Sequence, residues 1–202
     1  MLSVEEINGQ IRGESRFGSW VSILAGAASV ENVLEIGAWK GLGSTYLIAQ
    51  AIKFKPHVQA ISLEVNREFL EIARANLSGF DRPSLVYGTL VSPDILDRDG
   101  LSEQEQVWLD DDIRNISAAP NVLSQLPEEI HFLLLDGGEF SSWAEFQVLL
   151  PRVRGYLLLD DTEIRKNRRV HQFLANDDAW LLLDQGKDRN GWSVWAWRGN
   201  KK

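Results

Sequence analysis

The stretch from Asn32 to Tyr46, NVLEIGAWKGLGSTY, constrains the fold more than any other part of the chain. Its apolar first half ends in Gly37, and Gly41 and Gly43 follow before Ser44. This order predicts a buried strand, a glycine turn and the start of a helix. Because glycine has no Cβ and a helix N-terminus presents free N–H groups, such a turn lets the backbone approach a ligand closely. We therefore expect a nucleotide-like ligand at the end of the first strand.

The spacing of the glycines separates two classes of ligand. A dinucleotide fingerprint has G-x-G-x-x-G after the strand, where the first turn lies under a pyrophosphate. Here the pattern is Glu35-x-Gly37-x-x-x-Gly41-x-Gly43, with an acidic residue inside the strand. This pattern resembles the E/D-x-G-x-x-x-G motif of class I S-adenosylmethionine-dependent methyltransferases. The resemblance implies that Glu35, Gly37, Gly41 and Ser44 bind S-adenosylmethionine, whereas tight packing alone remains the alternative reason for such a turn.

Buried strands and amphipathic helices alternate along the chain. Apolar runs predict strands at 33–36, 58–63, 84–90, 130–135 and 155–159, and helical spacing predicts helices at 4–11, 17–28, 44–52, 66–77, 141–153 and 164–174. Such alternation is typical of an α/β doubly wound, Rossmann-like sheet that is mostly parallel. The segments 179–184 and 192–197 predict a closing antiparallel hairpin, as in the methyltransferase fold, so we expect seven strands.

Length and charge bound the domain organisation and the partners. The 202 residues suit a single domain, with N-terminal helices at 1–29 and an acidic insertion or cap at 92–127. A net charge of −8 disfavours nucleic acid as a partner, and a small-molecule substrate is expected instead. The acidic first residues lead us to expect no signal peptide, no apolar run reaches membrane-spanning length and there is no cysteine, so we expect a cytoplasmic protein. Homo-oligomerisation is left open.

Glu64 follows the second predicted strand. Right-handed crossovers place the carboxyl ends of parallel strands at one edge of the sheet, where ligands bind. A carboxylate at this edge can accept hydrogen bonds from both hydroxyls of a ribose. In the methyltransferase family this position binds the cofactor ribose, and Glu64 matches it, although a solvated acid at a strand end is the alternative.

Three further carboxylates are predicted to converge at the same edge. Asp136 follows the fourth strand, and Asp160 and Asp161 follow the fifth. Close carboxylates repel one another unless a cation neutralises them, and Mg²⁺ prefers oxygen ligands. A hydroxyl bound to such a cation loses its proton more easily, so the pattern predicts O-methylation of a diol or catechol-like substrate. Capping of the following helix is the alternative role for Asp160 and Asp161.

The segment from Leu133 to Thr162 is similar to the D-G-x-H…G-G-x-x-x-x-D-D block of the metal-dependent O-methyltransferases, including the catechol and macrolide-sugar enzymes. The resemblance implies that Asp136, Asp160 and Asp161 ligate the metal. Two positions depart from the pattern: Glu139 stands where these enzymes place histidine or lysine, and Tyr156 replaces a glycine. Glu139 is therefore the candidate catalytic base, or else a metal ligand or a turn residue.

The preferred hypothesis is a metal-dependent O-methyltransferase with Asp136 and Glu139 as catalytic residues. Two alternatives remain: a non-catalytic relative that binds S-adenosylmethionine, and an NAD-dependent oxidoreductase, which can share the fold. We expect the acidic residues of the insertion to form a solvated face and place none of them in the site. The basic run Arg165, Lys166, Arg168 and Arg169 is likewise expected on a solvated helix face, with reception of an acidic substrate group as the alternative.

Overall fold

A computed structural model describes residues 11–199 as an α/β fold. In this part of the chain the seven strands are β1 (Asn32–Ile36), β2 (Gln59–Glu64), β3 (Ser84–Tyr87), β4 (Ile130–Leu135), β5 (Val153–Asp160), β6 (Trp180–Gly186) and β7 (Trp192–Trp197). The six α-helices of the same residues are α1 (Arg16–Ala25), α2 (Ser44–Ile52), α3 (Arg67–Asn76), α4 (Glu103–Ala118), α5 (Ser142–Leu149) and α6 (Arg165–Ala175).

One mixed sheet with the order β3-β2-β1-β4-β5-β7-β6 contains all seven strands. The strands β1 to β5 are parallel, and β7 runs antiparallel between β5 and β6. Neighbouring side chains in a strand face opposite sides, so Val33 packs with α1 and α2 while Leu34 packs on the other side with α4 and α5. The predicted fold class, including the antiparallel hairpin, is confirmed.

Several element boundaries differ from the predictions. Strand β3 ends at Tyr87 rather than at Leu90, because Thr89 pairs instead with the segment before β4: its N–H donates to Pro120 O (2.9 Å), and its carbonyl accepts from Val122 N (3.0 Å). Helix α1 ends at Ala25, three residues earlier than expected. The predicted helix 4–11 lies outside the described residues, apart from Ile11.

The acidic segment 92–127 forms a 3₁₀ turn, helix α4 and a second 3₁₀ turn. A capping box fixes the start of α4: Ser102 Oγ accepts from Glu105 N, and Glu105 Oε2 accepts from Ser102 N (2.8 Å). The helix buries Leu109 and Ile116 against the core and exposes most of its acids. This packing aims one face of α4 at the carboxyl edge of the sheet.

A buried asparagine attaches α6 to the same edge. Asn167 is fully buried, and its amide donates to Leu135 O (2.9 Å) at the end of β4 and to Asp160 O (2.7 Å) at the end of β5. One side chain thus joins the ends of two neighbouring strands to the first turn of the helix.

No helix among residues 11–199 is both long and apolar enough to cross a membrane.

Replacing Asn167 by alanine should destabilise the protein by about 2–4 kcal/mol, because two buried carbonyls lose their donor. Urea unfolding followed by circular dichroism measures the change. Asn176→Ala, at an exposed position on the end of the same helix, should cost less than about 0.5 kcal/mol. Equal losses in the two variants would contradict the anchoring role of Asn167.

Candidate active site

A cavity of about 400 Å³ opens at the carboxyl ends of β1, β2 and β4. Its walls are formed by Gly37 after β1, Glu64 at the end of β2, Leu90 after β3, Asp112 of α4 and Asp136 after β4. Ligand sites in open α/β sheets lie at this edge, and the volume is in the range of small-molecule sites. We take this cavity as the candidate active site.

The glycine turn after β1 makes backbone contact with both neighbouring strands. Gly37 has a φ of +94°, its N–H donates to Leu63 O (3.0 Å), and Asp136 N donates to Ile36 O (3.0 Å). A Cβ on Gly37 would lie 2.1 Å from Asp136 O, so only glycine fits here. The turn therefore brings β1 and the Asp136 backbone together at the cavity wall.

Three of the five predicted cofactor residues do not line the cavity that the described residues form. Gly41 has a φ of +76° and packs against α3, where a Cβ would lie 3.1 Å from Ala73 Cα. Glu35 and Ser44 are buried behind the glycine turn. Burial raises the pKa of Glu35 to about 7, opposed by the hydroxyl of Ser44. The structure thus places these residues in support of the turn, and their contact with a cofactor stays a prediction.

Glu64 lies in the cavity wall with its carboxylate fixed by the backbone. Oε2 accepts from Trp39 N (2.6 Å), and Oε1 accepts from Asn66 N (2.8 Å). Burial raises the pKa of Glu64, and these two N–H groups oppose the rise. Because each carboxylate oxygen has two lone pairs, both oxygens can still accept a donor from the cavity.

The aspartate cluster, meaning Asp136, Asp160 and Asp161, forms as predicted. One carboxylate oxygen from each residue lies within 4.8 Å of the others. Asp136 and Asp161 line the cavity, whereas Asp160 is fully buried. Asp161 has a φ of +56°, a left-handed conformation that aspartate tolerates better than most residues. The backbone turn at Asp161 brings two consecutive carboxylates to one side of the sheet.

The side chain of Lys166 in α6 lies among these aspartates. The prediction that Lys166 lies on a solvated helix face is therefore wrong. Its ammonium lies 2.7 Å from Asp136 Oδ1 and 2.8 Å from Asp161 Oδ2, with only 13% of the side chain exposed. Burial alone would lower the pKa of Lys166, but the two carboxylates raise it above its ordinary value. The ammonium of Lys166 therefore stays charged.

The loop between β6 and β7 completes the cluster. Arg189 donates to Asp160 Oδ2 (2.6 Å), and Asn190 Nδ2 donates to Asp161 Oδ1 (3.1 Å). Burial and the charge of Asp136 raise the pKa of Asp160 to about 7. For Asp161 burial acts upward, but Lys166 outweighs it and the pKa is lowered. Nothing in the loop sequence GKDRNG indicated these contacts.

The donor chemistry of the aspartate cluster fits a divalent cation. Carboxylate oxygens are the ligands that Mg²⁺ prefers, and three of them converge here. Asp160 Oδ1 is buried and has no hydrogen-bond partner within residues 11–199. Lys166 and Arg189 already contact one oxygen of each aspartate, so the cluster is partly neutralised by the protein itself.

Glu139, the predicted base, lies beside the cavity rather than in its wall. It lines an open cleft of about 1000 Å³ together with Trp108, Arg168 and Asn190. Asn190 also contacts Asp161, so the cleft adjoins the aspartate cluster. Burial raises the pKa of Glu139, with Lys166 opposing the rise.

Two acids that were not predicted also line the cavity. Asp112 Oδ2 and Glu145 Oε2 are buried, and neither finds a hydrogen-bond partner in the described chain. Burial raises the pKa of Asp112 to about 6 and that of Glu145 to about 7. The expectation that no acid of the insertion enters the site is therefore wrong for Asp112. Its spacing from Leu109 and Ile116, three and four residues, was the available signal for an inward-facing position.

Comparison with known proteins identifies the fold. No protein-family profile and no curated protein matches the sequence. Cofactor-bound Rv0187 from MTB is 21% identical with a TM-score of 0.63, over 99% of this chain and 83% of that one. A methyltransferase from Geobacter sulfurreducens is 16% identical with a TM-score of 0.66, over 96% and 84%. The O-methyltransferase from Bacillus cereus in complex with SAH is 16% identical with a TM-score of 0.62, over 98% and 82%. The chain therefore has the Rossmann-like fold of these methyltransferases.

Replacing Glu35 by glutamine should remove part of the pH dependence of stability. Between about pH 4.5 and 7 the folded protein keeps a proton on Glu35 that the unfolded chain releases, so wild-type stability falls as pH rises. Relative to Glu35→Gln, the wild type should lose up to about 3 kcal/mol between pH 5 and 8. Denaturant unfolding across this range measures it. The exposed Glu31→Gln is the matched control, and parallel curves for wild type and Glu35→Gln would contradict the prediction.

Proposed function

We propose that this protein transfers the methyl group of S-adenosylmethionine to a hydroxyl oxygen of a small molecule. One observation carries the proposal: the Glu64 carboxylate, held by two backbone N–H groups, faces a cavity that Gly37, Asp136 and Asp161 also line. The similarity to methyltransferases, one of them an O-methyltransferase in complex with SAH, supports the choice of cofactor.

The polar groups of the cavity wall match the parts of such a cofactor. Glu64 would accept both ribose hydroxyls, and the turn at Gly37 would lie against the cofactor in the cavity wall. The unpartnered oxygens of Asp112 and Glu145 would accept from the cofactor's amino groups, which would repay the cost of their burial. When bound, S-adenosylmethionine supplies an electrophilic methyl group.

The aspartate cluster would hold a divalent cation such as Mg²⁺ through Asp136, Asp160 and Asp161. Bound there, such a cation would lower the pKa of an acceptor hydroxyl. Asp136 has a second role in the proposal, because it lies in the cavity wall and would orient the acceptor oxygen towards the cofactor.

Glu139 would accept the proton of the acceptor hydroxyl. Its carboxylate lines the cleft next to the cluster, and partial burial raises its pKa towards the range in which a general base works. Trp108 in the same cleft offers an aromatic surface. This surface suits a small aromatic diol or catechol as the substrate.

Changing Glu64 to glutamine should weaken binding of S-adenosylhomocysteine by about 10- to 100-fold, because one acceptor oxygen becomes an amide donor. Isothermal titration calorimetry measures the affinity directly. Glu68→Gln, an exposed acid in the first turn of α3, is the matched control and should bind like the wild type. Unchanged affinity in Glu64→Gln would refute the ribose site. Binding of NAD in place of S-adenosylhomocysteine by the wild type would favour an oxidoreductase.

Changing Glu139 to glutamine should lower kcat for methylation of catechol by about 10²- to 10⁴-fold, because the hydroxyl proton loses its acceptor. The KM for S-adenosylmethionine should stay unchanged. Transfer of a radiolabelled methyl group measures both constants, with the exposed Glu128→Gln as control. Wild-type activity in Glu139→Gln would exclude Glu139 as the base. Cofactor binding without methyl transfer to any diol in the wild type would indicate a non-catalytic relative.

A further inference from the structure

The ammonium of Lys166 lies between two of the three aspartates proposed as metal ligands. It forms ion pairs of 2.7 Å with Asp136 and 2.8 Å with Asp161. A divalent cation held by the same two carboxylates would lie close to the ammonium of Lys166. Two cations at one pair of carboxylates repel each other, and the repulsion is strong because the site is largely buried.

The aspartate cluster and its two cationic partners together have a net negative charge. With every group ionised, the aspartates contribute −3, and Lys166 and Arg189 contribute +2, which leaves −1. Without the ammonium of Lys166 the sum is −2, which a divalent cation neutralises. Arg189 remains on Asp160 in either case, since its ion pair involves only Oδ2 of that residue (2.6 Å).

We propose that Lys166 and a divalent cation are alternative occupants of the aspartate cluster. Lys166 balances one negative charge of the cluster in the metal-free protein, and the metal binds only when the ammonium withdraws. This inference rests on the metal site proposed above. It assigns Lys166 a role that is independent of the methyl acceptor: it sets the metal affinity of the site.

The ammonium has a place to which it can withdraw. A small cavity of about 140 Å³ adjoins the cluster. Its charged lining consists of the carboxylates of Glu139 and Asp97 and the cations Lys166, Arg165 and Arg169, of which Arg165 is paired with Asp97. The lysine side chain has a flexible stem of four carbon atoms, whereas the α6 backbone is held in place by the hydrogen bonds of Asn167. The side chain can therefore move towards the carboxylate of Glu139 while the helix stays where it is.

The test is a titration of the full chain with Mn²⁺, in which the electron paramagnetic resonance signal of the free ion measures how much is bound. Lys166→Met removes the ammonium and keeps most of the aliphatic stem. We expect this variant to bind Mn²⁺ at least about tenfold more tightly than the wild type, because the competing charge is gone. Bound Mn²⁺ should also raise the thermal midpoint of Lys166→Met more than that of the wild type.

Arg168→Met is the matched control, since it removes a positive charge from the same helix. Arg168 donates to the backbone carbonyl of Glu163 and contacts none of the cluster. Its variant should bind Mn²⁺ within about twofold of the wild type if the effect of Lys166 is local rather than a matter of net charge. A tenfold gain in Arg168→Met as well would overturn the proposal.

Lys166→Met leaves three aspartates with one counter-ion fewer, and this variant can fail to fold for that reason. A second pair of variants keeps the test possible in that case. Asp161→Asn combined with Lys166→Met removes one charge of each sign, and it should bind Mn²⁺ more tightly than Asp161→Asn alone. Equal affinities within each pair would overturn the competition. Absence of Mn²⁺ binding in all variants would remove the metal site as well. Titration of the same samples with S-adenosylhomocysteine separates these outcomes from failure of the proposed cofactor site.

Discussion

Neutralisation of carboxylates at the carboxyl edge of the sheet is the constraint on which the site depends. The sheet edge gathers Glu64, Asp136, Asp160 and Asp161, and buried acids of this kind are costly unless donors or cations meet them. Three kinds of partner meet them. Backbone N–H groups hold Glu64, Lys166 bridges Asp136 and Asp161, and the β6–β7 loop reaches Asp160. Some carboxylate oxygens still have no hydrogen-bond donor, and negative charge remains. This edge therefore suits a ligand that carries positive charge and hydrogen-bond donors.

Long-range backbone and side-chain contacts fix this arrangement. Gly37 allows the ends of β1 and β4 to touch, and Asn167 ties the ends of β4 and β5 to the first turn of α6. Because Lys166 precedes Asn167, the same anchor holds the lysine at the cluster. Three features of the fold therefore hold the site in place: Gly37, Asn167 and the β6–β7 loop.

Much of the fold could be predicted because its signals are local. The apolar run of β4, interrupted only by His131, and the alternation in β7 predicted the bounds of both strands to the residue, and helical spacing placed the start of α3 within one residue. The end of β3 was wrong because Thr89 pairs with a segment some thirty residues later, and no local pattern encodes that contact. Pairings between distant segments are the part of a fold that periodicity does not contain.

The candidate site was predictable to the same extent. The aspartate cluster and Glu64 follow strand ends, so topology alone places them at one edge. Lys166 stands in a basic run that is typical of a solvated face, and its burial results from the tertiary anchor at Asn167. Asp112 likewise stands in an acidic segment that is typical of an exposed helix, and only its spacing from Leu109 and Ile116 indicated that it faces inward. Local charge density was thus a misleading guide for these two residues.

The central claim is that the cavity beside Glu64 binds S-adenosylmethionine. A crystal structure of the protein with S-adenosylhomocysteine tests it most directly. The account predicts density for the ligand in this cavity, with both ribose hydroxyls on the carboxylate of Glu64 and the sulfur directed towards Asp136. An empty cavity at saturating ligand, or a ligand bound with its ribose away from Glu64, would contradict it.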